Sequence, residues 1–88
     1  MKIHREPIRG PRTRQDLITK IRNRVNRLNA FDSRMLAKVL PYLEAKDWRG
    51  ALTEARTMDT TVREEIPQWG WDLMRSADAA ITILEVLG

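Results

Sequence analysis

From Trp48 onward, apolar residues recur at intervals of three and four: Ala51, Leu52, Ala55, Met58, Val62, Ile66 and Trp69. At about 100° per residue these positions stay on one face, so the spacing predicts a single long amphipathic helix. Upstream, Leu17, Ile18, Ile21, Val25 and Leu28 form a second stripe of the same period. Met35, Leu36, Val39, Leu40 and Leu43 continue its phase. The phase favours one bent, nearly continuous helix from Arg14 to Ala45, with bends near Asp32 and at Pro41. The alternative is a new helix capped by Asp32, with Phe31 packing on Leu36 as a hydrophobic staple. Thr13 and Asp16 have capping-box spacing, which sets the first helix start near Thr13.

The third predicted helix, Trp71 to Leu87, follows a break expected at Pro67 and Gly70. Its polar residues Arg75, Asp78, Thr82 and Glu85 form one narrow stripe. Met74, Ala77, Ala80, Ile81, Leu84 and Leu87 can all be buried, so it belongs at the centre of a fold or under another protein. A strand over Ala80 to Leu87 is the competing assignment, but no second strand candidate exists to pair with it. The expected fold is therefore all-α: a small up-and-down bundle of three long helices, the first possibly broken near Asp32. Residues 14–88 form that bundle. Residues 1–13 form an extended basic arm, because Pro7, Gly10 and Pro11 oppose a helix while Arg5, Arg9 and Arg12 charge it. A frayed terminus is the default for such a segment, and docking on an acidic surface is the sharper expectation.

Composition limits the function. The chain has 88 residues, no cysteine, and 16 basic against 12 acidic residues, a net charge of +4. A cysteine-free chain has no disulfide, thiol nucleophile or cysteine-based metal site. The charge favours acidic partners. No apolar run approaches the roughly 20 residues that span a bilayer. Neither a signal nor a transit segment is legible, so an imported protein would be the mature form. Chemistry for catalysis is sparse. His4 is the sole histidine and lies in the arm. The neighbours Glu64 and Glu65 point apart on a helix, as do Asp72 and Asp78. No phosphate-binding glycine loop or metal-ligand spacing occurs. No enzyme activity and no cofactor are expected.

The binding candidates are cationic and aromatic. Arg56 and Arg63, seven apart, flank the long apolar face as a docking edge, and Trp48 anchors it. Trp71, just beyond Gly70, is free to face a partner, whereas Trp69 belongs to the buried stripe. Lys20, Arg24 and Arg27 form a basic row that could track a nucleic-acid backbone, but without stacking aromatics it reads better as a solvated face. Arg9-Gly10-Pro11-Arg12 has the composition of a minor-groove hook in the wrong order.

One stretch has family-level spacing. Pro41, Lys46, Asp47-Trp48, Arg56, Arg63 and Glu65-Ile66 together resemble the PsbQ-like proteins, the Q-type extrinsic subunits of photosystem II, where their first two long helices meet. The resemblance covers Pro41 to Ile66. Lys46 to Leu52 also resembles tetratricopeptide-type hairpins, which need stacked copies that this chain lacks. The PsbQ family is a four-helix bundle, and this chain has room for three long helices, so its last helix would need cover from a neighbour. The resemblance implies a non-catalytic accessory subunit of the thylakoid lumen, peripheral to the membrane. Its partners would be photosystem core or antenna subunits with an acidic surface. Trp48 would be the anchor, Arg56 and Arg63 flanking cations, and Arg9 and Arg12 docking charges. The alternatives are a small basic nucleic-acid-binding module and a helical adapter or inhibitor of another protein.

Overall fold

The computed structural model describes residues 12–88, and they form six helices with no strand among them. These are α1 Arg14–Val25, α2 Ala30–Ala37, α3 Leu40–Glu44, α4 Trp48–Arg56, α5 Thr60–Arg63 and α6 Gln68–Leu87. The all-α class is as expected; the three-long-helix architecture is not. The expected arm, Arg9 included, lies outside the described residues except for Arg12 and Thr13.

Local capping explains the difference. The Thr13 capping box forms as expected: the Asp16 amide donates to Thr13 Oγ1 at 3.1 Å, and the Thr13 amide to Asp16 Oδ2 at 2.8 Å. The expected bend near Asp32 is a full break, centred on residues 26–29. Asn29 turns extended and caps α2, its Oδ1 accepting from the Asp32 amide at 2.8 Å. Asp32 is thus the capped residue, not the cap. Phe31 is 60% exposed while Leu36 is fully buried, so the expected staple does not form. Pro41 bends no helix either. It sits in the first turn of α3, where its missing N–H has no intrahelical acceptor to lose.

The restart at Trp48 is realised. Lys46 adopts a left-handed conformation, φ 61°, and the Asp47 side chain accepts from the Gly50 amide at 2.9 Å. The single helix from Trp48 does not follow. It ends at Arg56, and Thr57 Oγ1 turns back to donate to the Glu54 carbonyl at 2.8 Å. Asp59 is extended and begins the one-turn α5; Pro67 is extended and begins α6. The last helix consequently starts at Gln68 rather than Trp71. Gly70 lies inside it and makes no turn.

The stripes nonetheless meet in one core. Leu17, Ile18 and Ile21 of α1 join Leu36, Val39 and Leu43, then Ala51, Leu52 and Ala55 of α4, with Val62, Ile66 and Met74. Polar ties fix the layout. Arg14 donates to the Leu43 carbonyl at 3.1 Å, Arg22 pairs with Glu44, and Ser33 Oγ donates to the Val25 carbonyl at 2.8 Å. Helix α6 packs chiefly on α4. Only its first half reaches the core: Gly70 and Met74 are buried, whereas the residues from Ile83 to Leu87 are exposed. No helix among the described residues is long and apolar enough to cross a membrane.

Candidate functional site: a cationic cleft

Two chain reversals, at Asp59 and Pro67, fold the end of α4, all of α5 and the start of α6 around a shared opening. The open cleft between them has a volume of about 640 Å³. Arg56 reaches it from α4, Thr60 and Arg63 from α5, and Gln68, Trp71 and Arg75 from α6; Glu64, Ile66 and Pro67 form the connecting wall. Three guanidiniums therefore face one carboxylate within the lining. Ile66 is buried and Trp71 half-buried, so the wall offers an apolar surface beside the cations.

The arginines differ in how they are engaged. Arg63 donates to Thr60 Oγ1 at 3.1 Å. Arg75 donates to Asp72 Oδ1 at 3.0 Å, and Gln68 Nε2 to the same oxygen at 3.1 Å. Among the described residues, neither Arg56 nor Arg63 has a carboxylate within ion-pair distance. Pro67 gives α6 no side-chain cap, so the positive end of that helix adds to the potential of the cleft. Arginine is a fixed cation with planar donors matched to carboxylates and phosphates, and it does not exchange protons near neutral pH. The lining thus sets guanidinium donors beside an aromatic ring, a combination that can accept an anion.

Of the residues singled out from the sequence, the structure brings Arg56, Arg63 and Trp71 together here. Their convergence does not arise from one helix face, as expected, but from the turn at Asp59. Trp48 is elsewhere. It is half-buried at the other end of α4, in a recess of about 210 Å³ shared with Lys46, Asp47, Arg49, Asp78, Ile81 and Glu85. Arg49 spans that recess, Nε donating to Asp78 Oδ1 at 3.2 Å and an Nη to Thr82 Oγ1 at 2.7 Å. Arg12 places its guanidinium 5.0 Å from the Trp69 ring centroid, a cation–π contact within the chain. Arg9 lies outside the described residues.

Sequence reasoning missed Arg75, Thr60 and Gln68 as lining residues. Arg75 read as one member of the polar stripe of the last helix. Its place became visible only once Pro67 turned that helix back beside α5. In the basic row, Arg24 is 3.5 Å from Glu65, leaving Lys20 and Arg27 without an ion pair among the described residues. Also among the described residues, no three His, Cys, Asp or Glu side chains gather as a metal ion would require. Comparison with family models, curated proteins and solved structures returns no match.

Proposed function

We propose that this protein is a non-catalytic accessory module that docks on an acidic surface of a larger protein. The Arg56–Arg63–Arg75 cleft makes the charged contact, and Trp71 supplies the apolar anchor. The observation that carries this reading is the convergence of three arginines from three helices on one cleft whose lining holds a single carboxylate. Arg56 and Arg63 have no carboxylate partner among the described residues, and Arg75 is held by Asp72 alone, so guanidinium donors are left to form hydrogen bonds with Asp and Glu side chains. Trp and Arg are also the residue types that dominate binding energy at protein interfaces. An adapter or inhibitor of another protein would use the same cleft in the same way.

The test is titration of the protein with a fluorescent poly-glutamate peptide at several salt concentrations. Binding should weaken as salt rises. The R56E/R63E double variant should bind at least about tenfold more weakly, the loss of roughly 1.4 kcal/mol, while its circular dichroism stays unchanged. Unchanged affinity in that variant rejects the cleft. Stronger binding to duplex DNA, abolished by substituting Lys20 and Arg27 instead, would establish the nucleic-acid reading in its place.

The likeness of Pro41 to Ile66 to Q-type extrinsic subunits gives the proposal a specific form: a lumenal subunit at the periphery of photosystem II. Its support is the text itself and the shared surface of Arg56 and Arg63. The stretch falls on α3, α4 and α5 rather than on the junction of two long helices, so the fold adds no weight to this form. Co-purification with thylakoid membranes and release by a high-salt wash would support it. Absence from purified photosystem would reject it while leaving the docking cleft intact.

A further inference from the structure

We propose that the group this cleft selects on its partner is a phosphorylated side chain, in preference to aspartate or glutamate. The inference rests on the docking reading above and names the ligand of that same site. Hydrogen-bond donors are the first argument. Among the described residues Arg56 uses none of its N–H donors, Arg63 donates to Thr60, and Arg75 donates to Asp72. The Thr60 hydroxyl accepts from Arg63 and keeps its own hydrogen to donate. Gln68 Nε2 gives one hydrogen to Asp72 and keeps the other. The free donors thus belong to α4, α5 and α6 and reach one opening from three separate elements.

Geometry separates the two kinds of anion. A carboxylate is planar, and a single guanidinium fork occupies both of its oxygens. A phosphomonoester has three terminal acceptor oxygens in a tetrahedral arrangement and a charge of about −1.5 to −2 at neutral pH. It accommodates guanidiniums arriving from three helices, where a planar carboxylate is served by one or two. Arginine clusters are the recurring means of recognising phosphorylated motifs. A phosphate fills only part of the cleft of about 640 Å³, and the wall of Trp71, Ile66 and Pro67 takes the apolar side chain that follows it in the partner. Glu64, the one carboxylate of the lining, opposes every anion, and opposes the more highly charged one more.

Fluorescence anisotropy of the full chain tests this with three labelled peptides that differ at one position: phosphoserine, glutamate or serine, each followed by leucine. The phosphoserine peptide should bind at least about tenfold more tightly than the glutamate peptide, and the serine peptide should not bind. Arginine holds its proton throughout, whereas the second ionisation of a phosphomonoester falls near pH 6. The preference should therefore grow about two- to fourfold between about pH 5.5 and about pH 7.5. The glutamate peptide is the control for Glu64 and Asp72 over that range. E64Q should tighten the phosphoserine peptide more than the glutamate peptide. Asp72 and Arg75 are both exposed, so D72N/R75Q removes the third guanidinium together with its counter-ion and leaves the net charge unchanged. That variant should reduce the preference about threefold.

Equal affinity for the phosphoserine and glutamate peptides overturns the inference and leaves acidic docking standing. So does a preference indifferent to pH or to D72N/R75Q. Failure of both peptides to bind, or binding indifferent to R56E/R63E, rejects the cleft itself. Adenosine monophosphate that displaces the phosphoserine peptide at concentrations where inorganic phosphate does not would assign the cleft to a nucleotide, and that result overturns the inference too.

Discussion

Lys46 holds a backbone conformation that ordinarily falls to glycine. The Asp47 amide donates to the Tyr42 carbonyl at 2.8 Å and the Lys46 amide to the Leu43 carbonyl at 3.1 Å, the paired closure of a left-handed helix terminus. A side chain at φ 61° crowds its own backbone there. K46G is expected to raise unfolding free energy by about 0.5–1 kcal/mol in urea titration; a loss would show that the Lys side chain makes a compensating contact. Gly70 has the opposite dependence. A Cβ at that position would come 2.6 Å from Leu17 Cδ1, and Leu17 is fully buried. Alanine favours helix by about 1 kcal/mol, but overpacking costs about 1–3, so G70A should lower stability by about 1 kcal/mol. The sequence marks both kinds of glycine alike. A turn and a close helix approach each need a missing Cβ, which is why Gly70 read as a break.

At the scale of elements, the break after α1 decides how the chain is organised. Asn29 Oδ1 takes the Asp32 amide, and Asn29 Nδ2 donates to Asp32 Oδ2 at 3.1 Å. Replacing a cap of this kind with alanine costs about 1 kcal/mol. N29A therefore lowers both stability and helicity if α2 begins here. Were α1 and α2 one continuous helix, alanine would raise both, so thermal denaturation followed by circular dichroism separates the two by sign. Apolar periodicity showed which residues face the core, and Leu17, Ile21, Leu36, Leu43, Ala51 and Val62 are all buried. It could not show that the helix between them was interrupted. The stripes keep phase because every segment packs on one core, not because the backbone is continuous. The cap at Thr13 was legible because Asp16 stands at capping-box spacing from it. Asp59 makes no side-chain cap bond, and its turn escaped detection; the break at Pro67 was legible from the proline itself, although α6 begins at Gln68 and runs through Gly70.

The molecule separates its surfaces by position. The six helices of the described residues share one small core, the cationic cleft opens where α4, α5 and α6 meet, and the last turns of α6 are exposed. Arg56, Arg63 and Trp71 were already candidates from the sequence, whereas Arg75 joined them only through tertiary folding. Trp48 was placed with them by adjacency in the chain, and the fold moves it to the far end of α4. Trp71 should contribute through its ring rather than through charge. W71A is expected to weaken acidic-peptide binding about tenfold with little change in salt dependence, whereas R56E should reduce both affinity and salt dependence. The most direct measurement of the docking claim is an amide and indole chemical-shift titration of the full chain with poly-glutamate. The account predicts that the largest shifts fall on Arg56, Thr60, Arg63, Gln68, Trp71 and Arg75. Shifts centred on Lys20, Arg24 and Arg27, or spread evenly over the basic surface, would contradict it.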